Sequence, residues 1–255
     1  MRAWLVAIVL AGCSQAPDKE PATPAAPVRA GAHEPRALGP DAAPVDAAPV
    51  DAAPPDSPGV AIVDAPMAWS AERERLTLAY RRAHSDPDAA DLTIEPTVIV
   101  LHYTDGGSAK STRAYFDTPT IEASRAELAR AGKVNVSAHF VVDRDGTIYQ
   151  LQPVTRFARH CIGLNHVAIG IENAGNESTF PLTAAQVDAD AALIRELART
   201  HKITRLLGHY EVMGFRTNPL YLERDPTYKN DKPDPGKAFM AKVRAKVSDL
   251  GLAGP

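Results

Sequence analysis

The sequence predicts an α/β fold of mixed α+β type, with a central mixed β-sheet flanked by helices. Three observations carry this. Residues 97–103 (Thr-Val-Ile-Val-Leu-His-Tyr) form a continuous, largely β-branched apolar run, the pattern of a strand covered on both faces. Two further apolar runs, 140–142 and 148–151, flank Asp145-Gly146, a hairpin signal. Thr183 and Gln186 have capping-box spacing, and Leu182 and Val187 are placed to staple the start of a helix. Strands and helices thus alternate along the chain.

The chain opens with an export pattern. Met1-Arg2-Ala3-Trp4 carries one positive charge, and Leu5 to Leu10 is an apolar run too short to span a bilayer, which takes about 20 residues. Leu10-Ala11-Gly12-Cys13 resembles the lipobox of bacterial lipoproteins. That resemblance implies removal of residues 1–12 and lipidation of Cys13. A simple cleaved signal is the alternative. Ser14, where inner-membrane lipoproteins carry Asp, resembles the sorting of an outer-membrane lipoprotein facing the periplasm.

Residues 13–66 read as a linker. Of 22 prolines, 12 lie between Pro17 and Pro66, and Asp-Ala-Ala-Pro recurs at 41, 46 and 51. Such a segment cannot bury apolar area and favours extended polyproline II geometry. At ~3.1 Å per residue its upper reach is about 150 Å. Residues 14–66 hold eight acids and three bases, against −3 for the whole chain. The remaining residues, 67–255, are nearly neutral, suffice for one core and contain no basic block, which excludes nucleic acid as a partner.

Within 67–255, Ser70 starts a helix running to about His84, with Leu76, Leu78 and Ala79 as its apolar positions. Residues 167–172 form another short strand. The helix from Thr183 runs to about His201 with Val187, Ala191, Ile194 and Leu197 on one face, and a last helix follows Gly236.

The chemistry-bearing residues stand at the ends of these elements. His102 closes the apolar strand and shares a face with Val100 and Val98. Glu172 closes its strand in the same way, on a face with the small residues Gly170 and Ala168. His209 follows Gly208, after the apolar run 203–207. In Lys232-Pro233-Asp234-Pro235-Gly236 each proline pushes the preceding residue towards an extended conformation, so Lys232 and Asp234 project alike. Taken alone, Asp234-Pro235 reads as a helix N-cap, and Glu172 as a buried carboxylate satisfied by backbone. Residues 106–111 (Gly-Gly-Ser-Ala-Lys-Ser) lack the glycines of a phosphate-binding loop. No His-Glu-x-x-His, Gly-x-Ser-x-Gly or Ser-x-x-Lys motif occurs. Cys161 reads as a buried small hydrophobe.

Val-Leu-His102-Tyr103-Thr, Ser137-Ala138-His139-Phe, Arg159-His160, Ile-Gly-Ile-Glu172-Asn173, Gly208-His209 and Lys232-Pro-Asp234-Pro-Gly together resemble, in order, the type 2 zinc-dependent N-acetylmuramoyl-L-alanine amidases, which share a fold with peptidoglycan recognition proteins. The resemblance covers about residues 95–247. It implies a recognition-protein-like amidase fold, Zn2+ held by His102, His209 and Asp234, Glu172 as general base and Lys232 as oxyanion stabiliser. It implies substrate contacts from Tyr103, His139, His160 and Asn173. The implied reaction is hydrolysis of the amide between N-acetylmuramic acid and L-alanine; a non-catalytic wall-binding lipoprotein of the same fold is the rival. Two departures stand out. The family's Trp-His-Ala-Gly is Arg159-His160-Cys161-Ile162 here, and 210–231 is longer than in compact relatives, reading as either a groove wall or a self-packed loop. The expected partners are peptidoglycan or its muropeptide fragments and, through the lipid, a membrane; a monomer is expected.

Overall fold

The computed structural model describes residues 59–229 and 231–255; the expected signal segment, Cys13 and most of the expected linker lie outside these. The elements run β1 (Ile62–Asp64), α1 (Ala71–His84), β2 (Val98–Tyr103), α2 (Ala109–Asp117), α3 (Ala126–Ala131), β3 (Phe140–Val142), β4 (Ile148–Gln150), β5 (Ala168–Asn173), α4 (Ala184–Thr200), β6 (Arg205–Gly208) and α5 (Lys237–Lys246). The strands form one mixed sheet in the order β1-β4-β3-β5-β2-β6. Every pairing is parallel except the β3–β4 hairpin around Asp145-Gly146.

The expected helices start where their caps place them. Ser70 accepts from Arg73 N, and Thr183 and Gln186 exchange both bonds of a capping box. Gln186 does more than cap: fully buried, its Nε2 also donates to Val142 O and Ala174 O, sewing α4 to the ends of β3 and β5. The sheet alternation separates two cores. Ile99, Leu101, Ile169 and Ile171 pack against Ile194 and Leu197 of α4 and Met240 and Val243 of α5. Val98, Val100 and Ala168 face the opposite side, against Leu164, Val212 and Phe215. His102 belongs to this second face, as the period-2 pattern predicts.

The structure departs from the sequence reading in four places. β1 lies inside the segment expected to be linker: Val60, Ile62 and Val63 follow the repeat as an apolar run, and β1 pairs with β4. α2 starts at the Ser108 cap inside the rejected phosphate-loop pattern. α3 has no side-chain cap and no buried residue, so it carries no periodic signal. β6 follows from pairing with β2, not from its own short sequence.

Candidate active site

The carboxyl ends of β5, β2 and β6 lie side by side, and each delivers one polar side chain to that edge. This is where parallel sheets place ligands. His102 and Glu172 are direct partners across the β2–β5 ladder, so their side chains leave the same face of strands about 4.8 Å apart. Gly208 pairs with Leu101, which brings the next residue, His209, beside His102. Asp234 arrives from the segment before α5; Tyr210 N donates to Asp234 O at 2.9 Å, tying that segment to the turn after β6. The N-cap reading of Asp234 is overturned: Gly236 is the N-cap of α5, without any side-chain capping bond.

His102 Nδ1, His209 Nδ1 and Asp234 Oδ2 form a triangle with sides of 3.0, 3.2 and 3.1 Å. Zinc ligands at about 2.0–2.1 Å in a tetrahedron stand about 3.3 Å from one another. The three donors therefore hold nearly the spacing of three corners of a zinc site. Two imidazoles and one carboxylate, with a fourth corner left for water or substrate, are the donor set of a catalytic zinc. Among the described residues this is the group of side chains able to hold a metal ion. Burial works to raise the Asp234 carboxyl, but the His102 and His209 rings beside it hold it well below the usual carboxylate range.

The protonation of His102 is set through the ring of His160. Burial, then the His209 charge, push the His102 imidazole down to about 4, and burial pushes His160 well below its ordinary value, so both rings are neutral. His160 Nε2 lies 3.2 Å from Ala168 O, which can only accept, so that nitrogen carries the proton. His160 Nδ1 then accepts from His102 Nε2 at 3.0 Å. His102 is left with a bare Nδ1 turned into the triangle, the tautomer a metal needs. Gly170 makes this relay possible, since a Cβ there would stand 2.7 Å from the His160 ring.

Glu172 sits beside the triangle by register. Burial, and then the Asp234 charge, push its carboxyl well above the usual range, while Lys232 and Arg125 pull the other way. Its Oε2 is buried without a hydrogen-bond partner, so the reading of a carboxylate satisfied by backbone does not hold. Tyr103, Lys232, His160, His209 and Asp234 line one cavity of about 110 Å3.

Two expected substrate contacts are corrected. His139 is fully buried, its Nε2 bonded to Arg156 O and its Nδ1 accepting from Gly170 N, so it holds the sheet and reaches no cavity. Asn173 is also fully buried; its Nδ2 donates to His102 O and to Asp190 Oδ2. Side chains alternate along β5, so the residue after Glu172 turns into the α4 side of the sheet. His160 does line the cavity, but its hydrogen bonds make it the support of His102. Cys161 is buried as expected, its thiol pushed up by burial. The 210–231 segment divides: Phe215 packs into the core, whereas Tyr228 and Lys229 line the groove next to Lys232.

Asp190 was not anticipated. It sits on α4 with no exposure, Oδ1 lacks a partner, and burial pushes its carboxyl up to about 7. A folded value above the unfolded one means that protonated Asp190 stabilises fully below about pH 3.9 and that this stabilisation is gone once pH passes about 7. We expect Asp190→Asn to gain stability relative to the native chain as pH rises from 4 to 7, by about 1.4 kcal/mol per unit. Thermal melts of both proteins across that range at fixed zinc check this; parallel curves would refute it.

The chain matches the N-acetylmuramoyl-L-alanine amidase family (Amidase_2) over residues 92–237. It is 28% identical over 116 residues to peptidoglycan-recognition protein SC2 of Drosophila simulans and of Drosophila melanogaster, covering 44% of this chain and 62% of those proteins. The chain thus spans under two thirds of the length of these relatives. Its structure is similar to that of the endolysin N-acetylmuramoyl-L-alanine amidase LysCS from Clostridium intestinale, at 23% identity and a TM-score of 0.48, covering 76% of this chain and 99% of that one.

Proposed function

Because this chain belongs to the N-acetylmuramoyl-L-alanine amidase family, we propose that it hydrolyses the amide between the muramic lactyl group and the first L-alanine of peptidoglycan, with Zn2+ as cofactor. The observation that carries the reading is the donor triangle with Glu172 in register beside it. Held by His102, His209 and Asp234, Zn2+ would supply Lewis acidity towards a water and the scissile carbonyl. Glu172 takes the proton of the attacking water and hands it to the leaving nitrogen; its raised affinity for protons and its free Oε2 suit both halves of that transfer. The C–N bond breaks to give the lactyl carboxylate and a new L-alanine amino terminus. Lys232, on the cavity wall, neutralises the negative oxygen of the tetrahedral intermediate.

The sequence features at the N-terminus support a further proposal: the protein is exported, lipidated at Cys13 and held at the outer membrane facing the periplasm, with residues 13 onward giving the catalytic domain reach into the wall.

The test is incubation of the full chain with purified peptidoglycan, with zinc and after chelation, followed by mass spectrometry for new L-alanine amino termini. Zinc-dependent release is expected. Retention of wall fragments without release would move the reading to recognition without cleavage. In the same assay Lys232→Met is expected to lower kcat about 100-fold with zinc content unchanged; kcat within threefold of the native value would remove the oxyanion role.

A further inference from the structure

Arg159, a buried arginine, lies in the wall of the inner cavity. It forms no ion pair with a carboxylate among the described residues. Its Nη1 donates to Gly132 O at 2.9 Å and Val134 O at 2.6 Å, and its Nη2 to Leu128 O at 2.7 Å and the Tyr228 hydroxyl at 3.0 Å. The guanidinium lies 4.3 Å over the Tyr80 ring of α1. One side chain thereby holds α3, the turn after it, and the long segment that leads to Lys232.

The places it holds matter. The cavity containing His209 and Asp234 adjoins an outer one of about 510 Å3, and Arg125, Leu128, Tyr228 and Lys232 line both. Leu128 and Tyr228 thus stand at the junction, and Arg159 bonds to both. His84 makes a parallel tie one layer back, between Glu223 Oε1 at 2.8 Å and Ala131 O at 2.6 Å, joining the same two walls. A planar fork with fixed N–H directions can hold four acceptors at set distances.

We infer that Arg159 is a positioning residue that fixes the width of the neck between the metal-side cavity and the outer groove, and so selects for substrates long enough to pass through it. This rests on the amidase reading. The groove beyond the neck takes the part of the wall fragment distal to the scissile amide, and Tyr228 transmits the setting of Arg159 to that part.

The experiment compares the native full chain, Tyr228→Phe and Arg159→Lys on two substrates: a muropeptide with its whole stem, and N-acetylmuramoyl-L-alanine alone. Zinc content and melting temperature are measured alongside. Tyr228→Phe keeps the ring and deletes one bond. It is expected to raise KM for the long substrate about three- to tenfold, and by a clearly smaller factor for the short one. Arg159→Lys is expected to move further in the same direction, since an ammonium cannot span the four acceptors. An unchanged KM for the long substrate in Tyr228→Phe overturns the inference, and so does an equal loss on both substrates, which marks a merely structural tie. Should Arg159→Lys not fold, Tyr228→Phe alone decides. Should the native chain cut neither substrate, the amidase reading fails by itself, and calorimetric Kd for the long muropeptide takes the place of KM: a rise by the same factor in Tyr228→Phe supports the neck, and an equal Kd overturns it.

Discussion

In His102→Ala, zinc binding and wall cleavage are expected to disappear together. The imidazole supplies one corner of the triangle, and its Nδ1 lies 3.0 Å from His209 and 3.2 Å from Asp234. Removing it leaves a two-point site and an Asp234 carboxylate, 5% exposed, stripped of one of its two stabilising rings. Activity is expected to fall at least about 1,000-fold, since the lost Lewis acid is worth several kcal/mol of transition-state stabilisation. Chelation of the native protein should reproduce the loss and re-addition of zinc should reverse it; neither treatment should change the variant. Metal stoichiometry by mass spectrometry beside the cleavage assay reads both. Cleavage that survives at native rate in the metal-free variant would sink the zinc mechanism. A smaller companion effect is expected for His160→Ala: the Ala168–His160 relay no longer fixes the proton on His102 Nε2, and zinc affinity should fall about 10- to 100-fold.

Glu172→Gln is expected to separate chemistry from binding. The amide keeps the shape of the carboxyl but cannot take a proton from water. We expect kcat to fall about 100- to 10,000-fold, zinc content to stay at one per chain, and affinity for wall fragments to hold. Folding should not suffer. The native carboxyl has a buried, unpartnered Oε2 and is pushed up by burial and by Asp234, so neutralising it relieves a cost rather than creating one. A small gain in melting temperature is therefore expected alongside the loss of turnover. That combination, activity lost while stability is kept or raised, distinguishes a catalytic group from a structural one. Turnover within tenfold of native would give the general-base role to another group.

Local rules read correctly wherever the cause was local. The Ser70 and Thr183 caps, the Asp145-Gly146 hairpin and the alternation that puts His102 with Val98 and Val100 each depend on neighbours within a few residues. Readings failed where the cause was distant. Nothing near Asn173 in sequence says that its amide would be consumed by Asp190, 17 residues on, or that His139 would be locked by the Gly170 backbone. The family resemblance put Asn173 in one site with Glu172, yet consecutive strand residues point to opposite faces. Applied to Glu172 and Asn173, that rule would have caught the error from the sequence. For Arg159, the signal was its departure from the family pattern, and its four acceptors lie 25 to 69 residues away.

The sequence by itself determined the class of fold, the faces of the central strands and the kinds of side chain waiting at their ends. Periodicity and capping are enforced residue by residue, so they are legible without a structure. Which of eight histidines meet is beyond any local pattern: the family resemblance named His102 and His209, and the tertiary structure is what brings them together. His102 and His209 are 107 residues apart in the chain, and His102 and Asp234 are 132 apart. They converge because β2 takes the place between β5 and β6 with all three parallel, and because the chain before α5 returns to that edge. Strand order is set by how whole faces bury against α4 and α5, a global balance that no local pattern encodes.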